Sequence, residues 1–103
     1  MLANMRDHLA AVNEILVFLS TGELDKASDV AEQRLGMSAL SNHGASHMAK
    51  VMPQRMREIG TSMHRAASRF ALRAEEGDAK AALMALPDVT SACVACHAGY
   101  RVQ

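Results

Sequence analysis

The sequence predicts an all-α fold, an antiparallel four-helix bundle, and three observations carry that expectation. Apolar residues recur every three or four positions over long stretches, the period of one face of a helix. Strand signals are nearly missing: β-branched residues are few, apolar and polar residues do not alternate, and no Asn-Gly or Asp-Gly hairpin turn occurs. Glycine and proline punctuate the periodic stretches so as to leave four main helices with short connections, for which a bundle is the natural architecture. At 103 residues the chain is one domain, residues 1–103, with a single modest core.

The first helix is expected over about residues 2–20. Leu2, Met5, Leu9, Val12, Leu16 and Leu19 step by three and four into a continuous apolar stripe, widened on one side by His8, Ala11, Ile15 and Phe18. Gly22 is placed to end it, since glycine accepts positive φ without a Cβ clash. No cap residue marks the start, so more sequence is expected upstream in the natural protein. A second helix is predicted over about 23–35, with Leu24, Ala27, Val30, Ala31 and Arg34 or Leu35 inward and Gly36 as its stop. Residues 37–52 contain Ser38, Ser41, Asn42 and Gly44, turn and cap residues that predict one or two short helical turns. Pro53 suits the first turn of a third helix, where its missing N–H costs nothing. Met56, Ile59, Met63, Ala66 or Ala67, and Phe70 face inward along that helix, which runs to about Glu76 before Gly77 ends it. Asp78 then caps a short helix through Ala85, and Pro87-Asp88 opens a last one over about 88–101.

That last helix holds both cysteines of the chain. Residues 93–97 read Cys-Val-Ala-Cys-His, the C-x-x-C-H pattern of covalent haem attachment. Thiols three positions apart on a helix lie on the same side about one turn apart, which suits the two vinyl groups of one haem c. The imidazole of His97 then comes under the iron as an axial ligand with no extra loop to close. Three other readings of the motif are weaker. A thioredoxin-like pair needs a βαβ setting, and a structural zinc site needs a fourth ligand that no second cysteine pair supplies. A chance pattern is improbable where cysteines are this scarce.

Composition agrees with an added flat apolar group. Half of the residues are apolar, yet only Phe18, Phe70 and Tyr100 are aromatic, so bulk must come from aliphatic side chains, eight methionines, or a cofactor. Lys plus Arg and Asp plus Glu are eleven each. Zero net charge offers no nucleic-acid footprint. No apolar run reaches the length of a membrane span, and Ile15 to Leu19 reads as core rather than signal peptide.

Residues 93–101, Cys-Val-Ala-Cys-His-Ala-Gly-Tyr-Arg, resemble the C-x-x-C-H-x-x-Y-R ending of cytochromes c′ and the related cytochromes c-556. The resemblance implies a four-helix bundle with haem attached to the C-terminal helix. It makes Cys93 and Cys96 the thioether sites, His97 the proximal ligand, and Tyr100 and Arg101 neighbours of the haem. The family's sixth coordination position lies against the first helix, open in c′ types and a methionine in c-556 types. Counting back from Gly22 places Met5 near that position, with His8 a turn away; a thioether there raises the potential of a low-spin iron. The arginine that commonly stands a turn earlier has no counterpart, since Met1 is there. An iron ligated by Met5, one ligated by His8, and an open site all stay in play.

A second constellation joins His43, His47, Met48, Met52, Met56, Met63 and His64. Imidazole and thioether together suit copper. Core packing by methionine explains Met52, Met56 and Met63 more simply. The resulting expectation is a non-enzymatic one-electron carrier, exchanging electrons with redox partner proteins, without nucleic-acid partners or a membrane span. Haem is attached outside the bacterial cytoplasm, so the protein is expected in the periplasm after removal of a signal peptide. Family members often dimerise through their first two helices, so a homodimer is among the expectations. A five-coordinate protein binding nitric oxide or carbon monoxide is the alternative, and a copper-binding bundle the second.

Overall fold

The computed structural model describes residues 2–39 and 54–99, which form helices joined by turns with no strand among them. Helix α1 covers Leu2–Ser20 and α2 covers Leu24–Val30, continued by a π-helical turn Ala31–Leu35 and a 3₁₀ turn Met37–Ala39. Helix α3 covers Gln54–Glu75 and α4 covers Ala79–Gly99. Pro53 and residues 40–52, on which part of the third-helix and turn expectations rest, lie outside the described residues.

Both tight connections close in the same way. Gly22 and Gly77 take φ of 76° and 81°, the left-handed region that a Cβ disfavours. The amide of Glu23 reaches back to the Phe18 carbonyl at 2.8 Å and Gly22 to Leu19 at 3.2 Å. Asp78 and Gly77 repeat the pattern onto Arg73 and Ala74, so orphan carbonyls at both helix ends are satisfied. Asp78 then caps α4, its Oδ1 accepting the Ala81 amide at 2.9 Å.

Two expectations need correction here. The predicted break at Pro87 does not occur, and α4 runs through it unbroken. Ala82, Leu86, Val89 and Cys93 continue one inward face across the proline, so tertiary packing holds the helix together. The ring removes the donor for the Leu83 carbonyl, but Pro87 and Leu83 are both exposed and water can take that place. The stripe on α1 is also displaced. Leu9 is 73% exposed and Leu16 47%, while His8, Ala11 and Ile15 are buried. Of two adjacent apolar stripes, packing selected the one with a small residue at its centre. Ala11 lets α1 come close to Ala27 and Ala31 of the second helix.

The core joins Ala11 and Ile15 to Ala27, Ala31 and Leu35, to Met63, Ala66, Ala67, Phe70, Ala71 and Ala74, and to Ala82, Leu86 and Val89. Alanine dominates it, and among the described residues Phe70 is its one fully buried aromatic side chain. Polar links pin α2 to α3: buried Ser28 donates to the Ala71 carbonyl at 2.7 Å, and His64 Nδ1 meets the Leu35 carbonyl at 2.5 Å. Arg34 joins α1 through Asp7 at 2.7 Å and through Glu14.

Gly36 ends the π turn in extended backbone, and its reason is close approach rather than φ. A Cβ there would stand 2.8 Å from both Glu32 Oε1 and Ser68 Oγ. The Glu32 carboxylate accepts from the Ser38 hydroxyl at 2.6 Å and its amide at 3.1 Å. Burial works to raise this carboxyl, yet hydrogen bonds from Ser38 and Ser68 outweigh it and hold the pKa below 4.5. A folded-state value lower than the unfolded one gives stability that is complete above about pH 4.5 and lost as pH falls through the folded value. Glu32→Gln is therefore expected to lower the thermal midpoint at neutral pH, with the two curves converging on acidification. Parallel curves down to strong acid would exclude a stabilising charge at Glu32.

Candidate functional site

The motif sits wholly inside α4, at the end where the core runs out. At about 100° per residue, Cys93, Cys96 and His97 extend the face that carries Ala82, Leu86 and Val89. Burial falls along that line. Val89 is 1% exposed, Cys93 and Cys96 are half-buried with Cys93 packed on the core's edge, and His97 is exposed. The three candidate residues thus share one face that begins in the core and ends in the open. Tyr100 and Arg101 lie outside the described residues.

Both thiols are free. Burial pushes the Cys93 thiol above the ordinary cysteine range, with the neighbouring Cys96 adding to the shift, and burial does the same to Cys96. A dithiol redox centre needs the opposite, a thiolate stabilised near neutral pH. A zinc cage fits no better, because among the described residues no three His, Cys, Asp or Glu side chains converge on a point. Haem makes a different demand. Its two thioether bonds form at the porphyrin's edge and only the imidazole meets the metal, so protonated thiols on one helix face with a histidine one residue on fit it.

Helix α4 is unusual in one more respect. By length and composition it is apolar enough to cross a membrane, although little of it is buried against the rest of the chain. The expectation that no stretch reaches span length therefore does not hold for α4: Pro87 and Asp88 interrupt the pattern without shortening the helix. Leu83, Met84 and Val94 are left 57%, 69% and 67% exposed.

On α1, Met5 is half-buried and His8 is buried at 8% exposure. The His8 ring stands edge-on to His64 with centroids 5.8 Å apart. His64 therefore links α1 and α3 while capping the π turn, a role that nothing in its sequence neighbourhood signals. Of the His/Met constellation, Met56 and Met63 are buried on α3, whereas His43, His47, Met48 and Met52 lie outside the described residues. Comparison with family models, curated proteins and solved structures finds no match to the chain.

Proposed function

We propose that this chain is a monohaem c-type cytochrome, a non-enzymatic one-electron carrier. In this reading it is an antiparallel four-helix bundle holding haem c covalently at Cys93 and Cys96, with His97 as proximal ligand. The carrying observation is the Cys-Val-Ala-Cys-His sequence, laid along the inward face of α4 where the polypeptide core gives out. The opposed pairings Ser28–Ala71 and Leu35–His64 support the antiparallel course. Free, protonated thiols support the attachment chemistry. Cys93 and Cys96 would each hold the haem through a thioether, the S–H adding across a vinyl group with sulfur on one carbon and hydrogen on the other, which would consume no oxidant. Bound there, haem supplies a one-electron ferric–ferrous couple whose potential follows its axial ligands and exposure. Such attachment belongs outside the bacterial cytoplasm, which makes the periplasm the proposed location.

Met5 is the sixth ligand in this reading. It is half-buried on α1, whereas bringing His8 to an iron would break its buried contact with His64. Met5→Ala is expected to convert a low-spin reduced spectrum with sharp bands into a high-spin one and to raise carbon monoxide affinity. An unchanged spectrum and affinity would remove Met5 from the coordination sphere. A wild-type protein already high-spin when reduced would instead be the five-coordinate, gas-binding alternative.

A further inference from the structure

Zero net charge conceals a chain whose charges are sorted by helix. Residues 54–75 contain Arg55, Arg57, Arg65, Arg69 and Arg73 against Glu58 and Glu75. From α1 through the π turn the balance is reversed, with acids outnumbering Arg6, Lys26 and Arg34. All five arginines of α3 are exposed.

Two cations of the first two helices are paired: Arg34 binds Asp7 and Glu14, and Lys26 binds Glu23 at 2.8 Å. Within α3 Arg73 binds Glu76 at 2.6 Å. Arg55, Arg57, Arg65 and Arg69 have no acidic partner among the described residues, and the neighbouring Glu58 accepts from Gln54 instead. Arg65, Arg69 and Arg73 stand four apart on one line of the helix. Like charges at that spacing oppose the helix, so the row brings the fold itself no benefit.

We infer that the exposed arginine face of α3 is the docking surface for a redox partner presenting acidic side chains, an assignment that rests on the electron-carrier reading. Counting outward from Gly77, Arg57 lies level with His97 and Arg65 with Val89, so the arginine face runs from the motif's end of α3 back toward Gly77. From Val89 to Gly99 the helix α4 has no Asp, Glu, Lys or Arg, and Val94 is exposed. An uncharged contact zone at the electron-transfer edge is thus bordered by a cationic rim, the division of labour found in protein interfaces. Guanidinium groups match carboxylates in planar, bidentate geometry, and complementary charge steers encounter. Single-stranded nucleic acid fits less well, because Phe70, the aromatic residue of α3, is buried and cannot stack on bases. An anionic membrane also fits less well, since the apolar face of α3 is committed to the core and leaves Leu72 as its exposed large apolar side chain.

Stopped-flow oxidation of the reduced, haem-loaded protein tests this with two small oxidants, anionic hexacyanoferrate(III) and cationic tris(phenanthroline)cobalt(III). Lowering the ionic strength is expected to speed the anion and slow the cation, separating the two trends by roughly threefold or more. Arg65→Glu with Arg69→Glu should abolish or reverse that order. Lys26→Glu with Lys80→Glu, equal in charge change but on α2 and α4, should keep it. Unchanged absorption spectra and helical circular dichroism confirm that the variants are folded. Coloured wild-type protein with charge-blind rates overturns the docking face alone. Retention on phosphatidylglycerol vesicles or duplex DNA that depends on Arg65 and Arg69, without salt-dependent kinetics, overturns the acidic-protein partner. Colourless protein sinks the electron-carrier reading and the docking assignment together.

Discussion

Cys93→Ala with Cys96→Ala, produced in a host with working haem-ligation machinery, is expected to yield a colourless polypeptide of unmodified mass, against a coloured wild type carrying the added porphyrin. The predicted effect is complete loss of covalent haem, because no other cysteine exists to form a thioether. Misfolding is a poor rival explanation. Both positions are half-buried beyond the fully buried stretch of α4, and alanine is the best helix former, so the change costs roughly 1 kcal/mol or less. Helical circular dichroism of the variant should therefore persist while the visible absorption vanishes. Single variants should retain one thioether and a shifted absorption band. Equal colour in the wild type and the double variant would show haem held by other groups, and the proposed role of the two sulfurs would fail.

The parts of this molecule that were legible in advance are those governed by short-range physics. Gly22 and Gly77 end their helices because the chain needs a left-handed residue where each turn closes, and that requirement is local. Met56, Met63 and Phe70 read as inward because α3 has one clear apolar stripe. On α1 there were two stripes, and nothing within Leu2 to Ser20 says which of them meets Ala27 and Ala31. That choice is made by a neighbouring helix, which leaves Leu9 and Leu16 facing solvent and Ile15 in the core. Pro87 failed for the same reason from the other direction: a local breaking rule lost to a face that packs continuously from Ala82 to Cys93. The candidate site divides likewise. Cys93, Cys96 and His97 fall within five consecutive residues, so the chemistry proposed for them is read from their spacing alone. The contact of His64 with Leu35 and His8 depends on three separate segments and has no signature in any of them. The arginine row was written at four-residue spacing all along, but a whole-chain charge count averages it away.

Phe70→Ala is expected to destabilise the protein by about 3–5 kcal/mol, whereas Leu72→Ala, two residues on, should stay within about 1 kcal/mol. Phe70 is 0% exposed and Leu72 48% exposed, so one helix offers both a deep core position and a solvent-facing one of similar chemistry. The large value has two sources: the lost burial of a benzyl group, and the cavity left where backbone-bearing neighbours cannot close in. Around Phe70 the core is mostly alanine. Those side chains have no rotamers with which to reach into the space, so relaxation is limited and the upper part of the range applies. For a domain whose total stability is about 5–15 kcal/mol, such a loss consumes roughly a fifth of it or more. The thermal midpoint should fall by at least about 12 °C, while that of Leu72→Ala moves by only a few degrees. In the proposed holoprotein haem would stabilise both variants alike and leave their difference in place, because Phe70 packs with Ala66, Ala67 and Ala74 toward the Gly77 end of α3 rather than at the motif's end of the bundle. Equal midpoints for the two variants would mean that α3 does not bury the face assigned to it, and the packing that carries α4 and its motif would have to be redrawn.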